Sequence, residues 1–382
     1  MKNKAIYIGM SIVFISLLLL NSTCKKKNNP GPGDPVPEDT TYTLTVTDFI
    51  KNLDTPWEIA FAPDGRIFFT ERAGRVRVWS NGTLETWLDL TNVVEQSESG
   101  LLGIALDPNF SANGYVYIAY TYSTPMSKFT NKLVRCVENS STKKGSENKV
   151  LIDSVIGSNN HNGGPVKFGP DGKLYWTVGD RFDQSLPQNL NSLTGKILRL
   201  NSDGTKPSDN PFTNSYVWSY GNRNVQGLAW QPGTNLLWAT EHGPSGEKGF
   251  GNDEVNIIEK GKNYGWPEII GGQTKAGMET PVSYSGSTTT WAPAGCTFVS
   301  KGKWKGSFLY AGLKGETLYR IVIDPKDNRK ILRTEKFFVN KYGRLRDVAE
   351  GPDGSIYVCV SNRDGRGTPK AEDDRILKIK IE

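Results

Sequence analysis

A short pattern recurs six times in this chain, and it limits the available folds more than any other feature. Each copy is an apolar pair, a turn of Pro or Gly with Asp, Asn or Gly, and a second apolar run. The copies are IAFAPDGRIFFTER (59–72), IALDPNFSANGYVYIAY (104–120), VKFGPDGKLYWTVGD (166–180), LAWQPGTNLLWATEHG (228–243), TFVSKGKWKGSFLYAGL (297–313) and VAEGPDGSIYVCVSNRDG (348–365). Proline presets φ at the turn and glycine accepts φ > 0. The flanks are rich in Val, Ile, Tyr, Phe and Trp, as strands are. From Pro63 to Pro352 the copies average about 58 residues apart, and a four-stranded propeller blade needs roughly 40–50. The expected fold is all-β: a six-bladed β-propeller of four-stranded antiparallel blades over 42–382. A stack of β-sandwiches fits less well, because the turns recur too regularly. In a propeller, functional residues gather on loops around the central channel.

Residues 1–24 read as an export leader. Lys2 and Lys4 precede an apolar stretch from Ile6 to Leu20, near the upper limit of a signal-peptide core and short for a membrane span of roughly 20 residues. Asn21-Ser22-Thr23 before Cys24 resembles a bacterial lipobox, which implies cleavage before Cys24 and lipidation of its thiol. An uncleaved membrane anchor is the alternative, and either one exports and tethers the chain. Residues 25–41 carry four prolines and no apolar pattern, as a solvated, semi-rigid spacer does. The expected location is the periplasm or cell envelope of a bacterium.

Composition removes several functions. The chain has two histidines, His161 and His242, which excludes a three-His metal centre. Cysteines 24, 136, 296 and 359 form no CxxC pair, which excludes a Cys-rich zinc site. With Cys24 lipidated, three remain, so one disulfide can form and at least one thiol stays free. The net charge is +6; five lysines and three acids precede residue 42, leaving +4 on the rest. That is no footprint of a nucleic-acid binder.

Several segments carry chemistry. Asn160-His161-Asn162-Gly163-Gly164 places a histidine on a glycine-rich loop, where it is either a general base or a hydrogen-bonded structural residue. Arg223 and Asn224 lie on a polar loop between apolar strands; a guanidinium there can polarise a carbonyl or tie loops together. The stretch from Glu241 to Pro267 holds Gly243, Pro244, Asp253, Glu254 and Tyr264. Its oxygens suit Ca²⁺, though the spacing is not that of an EF-hand, and turn-capping is the other reading. Lys314 ends a strand, and Arg344 and Arg346 at i, i+2 are expected on one strand face. Such cations suit a ligand with several carboxylates. Glu98 precedes a repeat copy and can reach the same face.

In order, the strings PWEIAFAPDGRIFFTER, ESGLLGIALDPNF, HNGG with FGPDGKLYWTVGD, GNRNVQG, EHGP, DEVN with GKNYGWP, and GRLRDVAEGPDG resemble the soluble quinoprotein glucose/sorbosone dehydrogenases, aldose sugar dehydrogenases included. The resemblance spans nearly all of 44–380. It implies a six-bladed propeller holding pyrroloquinoline quinone (PQQ) and Ca²⁺ at the channel mouth. It also implies a PQQ-dependent sugar dehydrogenase, an oxidoreductase acting on CH–OH groups. His161 matches the base that takes the hydroxyl proton as hydride passes from the anomeric carbon to the quinone. Arg223 matches the residue that polarises the quinone carbonyl. Asn224 and Glu98 join the cofactor contacts, and Lys314, Arg344 and Arg346 match the residues that bind the three cofactor carboxylates. The carbonyls of Gly243 and Pro244 match ligands of the cofactor-bound calcium, and Glu254 and Tyr264 match a second, structural calcium. The implied partners are an aldose and an electron acceptor, either a cytochrome or a mediator, with the protein a monomer or homodimer. The sequence departs from the glucose-oxidising branch at Asn160, where that branch has Asp, and at Glu98, where it has Gln. Pro165 stands where a basic residue often follows the Gly-Gly pair. The alternatives are a non-catalytic glycan- or protein-binding propeller and a metal-dependent sugar lactonase.

Overall fold

The computed structural model describes residues 42–246 and 249–382. The leader, Cys24 and the proline-rich spacer lie outside the described residues. The Pro-Asp-Gly turns fold alike wherever they occur. In the first, Gly65 has φ 89°, its N–H donates to Ala62 O at 3.0 Å and Ala62 N–H donates to Arg66 O at 2.8 Å. Asp64 Oδ1 accepts the Arg66 N–H at 3.1 Å. Gly172 and Gly354 repeat the arrangement, with Asp171 and Asp353 accepting in the same way. Aspartate closes the turn and glycine takes the left-handed position.

Each turn joins the first two strands of a four-stranded antiparallel sheet, and there are six such sheets. Their first strands, Pro56–Phe61, Leu101–Leu106, Val166–Phe168, Val225–Trp230, Pro293–Phe298 and Leu345–Glu350, meet one another in a closed ring. This is the expected six-bladed β-propeller. The helix Phe110–Asn113 is a single turn inside the second blade. Second strands such as Leu174–Val178 and Phe308–Gly312 are buried at every position, because a neighbouring blade covers each face. The core therefore lies between blades: Phe68, Val76 and Trp87 of one pack with Leu101, Ile104 and Val116 of the next. Cys136, Cys296 and Cys359 are buried free thiols, so no disulfide forms among the described residues.

The last blade has only three strands from the C-terminal end. Its outer strand is Leu44–Ile50, which pairs antiparallel with Arg375–Ile381 from Leu44↔Ile381 to Ile50↔Ile376. The ring is thus closed by hydrogen bonds between the two ends of the propeller.

Antiparallel order also sorts the loops. The turns between first and second strands lie on one face. The segments that precede a first strand or follow a second strand lie on the other. His161, Arg223, Glu98 and Arg344 precede first strands; Asp180, His242 to Pro244 and Lys314 follow second strands. All share one face of the channel. Five of the six inner strands carry a β-bulge near that face, at Pro56/Ile59, Leu101/Ile104, Val225/Gly227, Pro293/Cys296 and Leu345/Asp347. Bulges break alternation and re-aim side chains. The expected shared strand face of Arg344 and Arg346 is therefore corrected. Arg344 precedes the strand and Arg346 is a bulge residue.

Deleting residues 42–50 should leave the last blade with an open, unpaired edge. The expected outcome is a lower thermal unfolding midpoint and concentration-dependent aggregation, read by calorimetry and light scattering. An unchanged midpoint would remove this strand from the closure.

Candidate active site

His161 is held from three sides. Its N–H donates to Glu98 Oε2 at 3.0 Å, its carbonyl accepts the Arg181 N–H at 3.2 Å, and Nδ1 lies 2.7 Å from Asp180 Oδ1. Its backbone is left-handed, at φ 55°. The two following glycines are needed where they stand. A Cβ on Gly163 would lie 2.5 Å from Thr177 O, and one on Gly164 would lie 2.5 Å from the Trp57 ring.

Asp180 follows the second strand of the same blade. Oδ1 also accepts the Phe182 N–H at 3.0 Å and Oδ2 accepts from Trp266 Nε1 at 2.8 Å. Both oxygens are thus acceptors, so the shared proton sits on His161 Nδ1. Nε2 is left with its lone pair available, the arrangement a general base needs. Asp180 was not singled out from sequence, although it closes the third repeat copy. A carboxylate that orients His161 is therefore present despite Asn160.

Arg223 is buried, which pushes its guanidinium pKa down. Its N–H donates to Glu241, its carbonyl accepts the Asp180 N–H at 2.7 Å, and Nη1 donates to His242 O at 3.2 Å. The guanidinium stands 5.4 Å from the Trp266 ring centroid. Asn224 Oδ1 accepts the Gly163 N–H at 3.1 Å. Arg346 Nη1 donates to a second bulge residue, Gln226 of the Val225/Gly227 bulge, at 2.7 Å, and Gln226 in turn donates to Gly163 O at 3.1 Å. Burial pushes Arg346 down to about 10. Arg344 pairs with Asp364 at 2.7 Å. Lys314 is exposed at the rim. Burial opposes ionisation of Glu98, but the imidazoles of His161 and His242, Arg366 and the His161 N–H outweigh it and hold Glu98 at about 2. Arg366 joins Glu98 at 2.6 Å to Asn160 at 2.7 Å, so one guanidinium ties both departures from the glucose-oxidising branch.

The oxygen-rich stretch divides. Asp253 accepts N–H groups from Gly243 at 2.9 Å, Trp291 at 2.6 Å and Ala292 at 3.0 Å, which anchors the Gly243-Pro244 turn. Glu241 and Glu254 are cross-strand neighbours. Burial pushes both carboxyls up, Glu254 further through the charge of Glu241. Tyr264 stands apart from this pair. Its hydroxyl donates to Ile257 O at 2.6 Å and accepts the Glu259 N–H at 2.8 Å.

Buried polar atoms at this face without a protein partner among the described residues include Nδ2 of Asn224, Nε2 of His242, Nε of Arg346, Nε of Arg181 and Oδ1 of Asn222. Orphaned groups of this kind mark a place for a polar ligand. Beside them, Asp180, Phe182, Arg223, Pro244 and Trp266 line a small cleft open to solvent. Arg181 and Phe182 have φ 51° and 65°, a strain of about 1–3 kcal/mol each for non-glycine residues.

Comparisons with known proteins identify the family. Residues 53–371 match the family model Glucose / Sorbosone dehydrogenase. The chain is 30% identical over 349 residues to aldose sugar dehydrogenase YliI of Escherichia coli, covering 85% of this chain and 91% of that one. It is 32% identical over 412 residues to quinoprotein glucose dehydrogenase B of Acinetobacter calcoaceticus, covering 83% and 85%. The PQQ-bound aldose sugar dehydrogenase of Streptomyces coelicolor superposes with a TM-score of 0.79 at 34% identity, over 89% of this chain and 99% of that one. Fold, site and likeness define a class, the β-propeller oxidoreductases that act on sugars. Within it, the chain belongs to the glucose/sorbosone dehydrogenase family.

Asp180→Asn should keep the fold and lower turnover by about 10²–10⁴, because the amide can hold the wrong tautomer. Steady-state kinetics with a thermal midpoint checks this. Unchanged turnover would take Asp180 out of the base.

Proposed function

We propose that this chain is a PQQ- and Ca²⁺-dependent aldose sugar dehydrogenase that oxidises the anomeric carbon to a lactone. The observation that carries this reading is the buried His161–Asp180 pair, set in one channel mouth with Arg223, Arg344 and Arg346. When bound, the quinone supplies the two-electron acceptor for the hydride leaving the anomeric carbon, and the cation polarises its carbonyl.

The residues fit that group. Arg344, Arg346 and Lys314 supply cations for its carboxylates, and the orphaned nitrogens of Asn224, His242 and Arg346 offer polar contacts. The carbonyls of Gly243 and Pro244 would hold the cofactor-bound cation. For a second calcium, Glu254 and Glu241 would supply carboxylates on losing their protons, and Tyr264 would contribute through its carbonyl because its hydroxyl is engaged. Calcium suits a set of this kind.

His161 Nε2 takes the anomeric hydroxyl proton, and Asp180 stabilises the resulting imidazolium through Nδ1–H. Arg223 is fixed by Glu241, His242 and Asp180, so its position costs nothing at the moment of reaction. Glu98 fixes the His161 backbone. A lactonase centre has less support, since the channel acids are already engaged. Glu58 pairs with Lys167 at 2.9 Å, and Asp347 accepts the Ile59 N–H at 2.8 Å. In the proposed setting the protein is exported, held by a lipid on Cys24, and passes electrons to a cytochrome or mediator.

The propeller, residues 42–382, should reduce a dye with an aldose only when PQQ and Ca²⁺ are both added. No reduction and no spectral change on adding PQQ would sink the reading. His161→Ala should lose orders of magnitude in turnover and still bind PQQ. Arg344→Ala with Arg346→Ala should weaken PQQ affinity instead.

Stability should also depend on pH through Glu241 and Glu254. In the folded state these raised carboxyls hold protons that the unfolded chain has already released. Their contribution is full below the ordinary carboxylate range and is lost as pH rises toward neutrality. Ca²⁺ should flatten that slope, and Glu254→Gln should do so without metal. A slope indifferent to both would exclude the pair as a cation site.

A further inference from the structure

Phe182 stands beside His161 in a placement the fold does not explain. It is 54% exposed and left-handed at φ 65°, in a turn where glycine would fit without strain. An exposed aromatic side chain in a strained backbone gains the fold nothing, and such outliers cluster at functional positions. The turn is nonetheless firmly held. The Phe182 N–H donates to Asp180 Oδ1, the same oxygen that accepts from His161 Nδ1. Downstream, the buried ammonium of Lys196 donates to Leu186 O at 2.9 Å, Pro187 O at 3.0 Å and Thr194 O at 2.8 Å. The Phe182 ring centroid lies 3.8 Å from that of His161, tilted by 39°. The ring also lines the cleft that holds Asp180, Arg223 and Trp266.

We infer that Phe182 is the sugar platform of this site and selects for aldoses in their closed pyranose form. Its exposed surface receives the C–H face of the ring whose anomeric hydroxyl meets His161 Nε2. The chemistry is that of an aromatic quadrupole: the ring face is electron-rich, and the pyranose C–H groups, polarised by adjacent oxygens, are its complement. Because Asp180 holds both Phe182 and His161, platform and base stay in fixed relation. The inference rests on the proposed sugar-oxidising function and adds the residue that recognises the sugar.

The test uses the full chain loaded with PQQ and Ca²⁺, with Phe182→Gly and Phe182→Trp. Phe182→Gly relieves the backbone, so its unfolding midpoint should be unchanged or higher. PQQ affinity should stay within twofold of the parent, while KM for a pyranose rises tenfold or more with a smaller change in kcat. Phe182→Trp should restore KM. A parental KM in Phe182→Gly overturns the inference, and so does an equal loss of PQQ affinity, which would make Phe182 a cofactor contact. If the parent oxidises no aldose, the functional reading fails separately. Saturation-transfer NMR with glucose then decides on binding alone. Transfer that is lost in Phe182→Gly supports the platform, and transfer that is absent or indifferent to the substitution overturns it.

Discussion

Everything in this molecule depends on closing a ring. Each blade buries both faces of its middle strands against neighbours, so no blade has a complete core alone. The ring closes through the pairing of Leu44–Ile50 with Arg375–Ile381, contacts between segments more than 300 residues apart. Non-local pairing of this kind pays its loop-closure entropy before other contacts repay it. Once closed, the ring fixes the distance between loops from different blades, which no single blade can do. Glu98, His161, Arg223 and Arg346 come from four blades and share one mouth because of that closure.

At the mouth the inner strands depart from regular pairing. Bulges leave Gln226 and Arg346 outside the alternation, and the two meet across the channel at 2.7 Å. Glycines allow the close approach that remains, as at Gly103, where a Cβ would lie 2.2 Å from Gly164 O. The result is a polar wall assembled from backbone irregularities on an otherwise regular scaffold, where orphaned nitrogens persist without disturbing the apolar core between blades.

Local features were legible in the sequence and long-range ones were not. The Pro-Asp-Gly turns could be read because proline, aspartate and glycine each act on their own backbone. His161 could be read because a rare residue stood on a glycine pair. Asp180 was hidden at the end of a repeat copy, where it passes for a strand terminus; only the fold brings it to the imidazole 19 residues earlier. Arg344 and Arg346 were placed together for a reason that does not hold, since a bulge rather than strand alternation sets their positions. Tyr264 looked like an oxygen donor, but its hydroxyl closes a turn with Ile257 and Glu259. Arg366 gave no signal, because its partners Glu98 and Asn160 lie more than 200 residues away.

The Asp180 carboxylate has a consequence for how this site can change over generations. Its two oxygens serve the His161 imidazole, the Phe182 backbone and the Trp266 indole, and its own N–H serves Arg223. Substitutions at these positions are therefore not independent, and groups sharing one network combine non-additively. A lineage altering the Trp266 indole must pass through variants in which the Asp180–His161 pair is also disturbed, whereas Phe182 lends the network only its backbone N–H. Change should come instead at the rim, where Glu98, Asn160 and Arg366 form a separate unit that can be exchanged as a set.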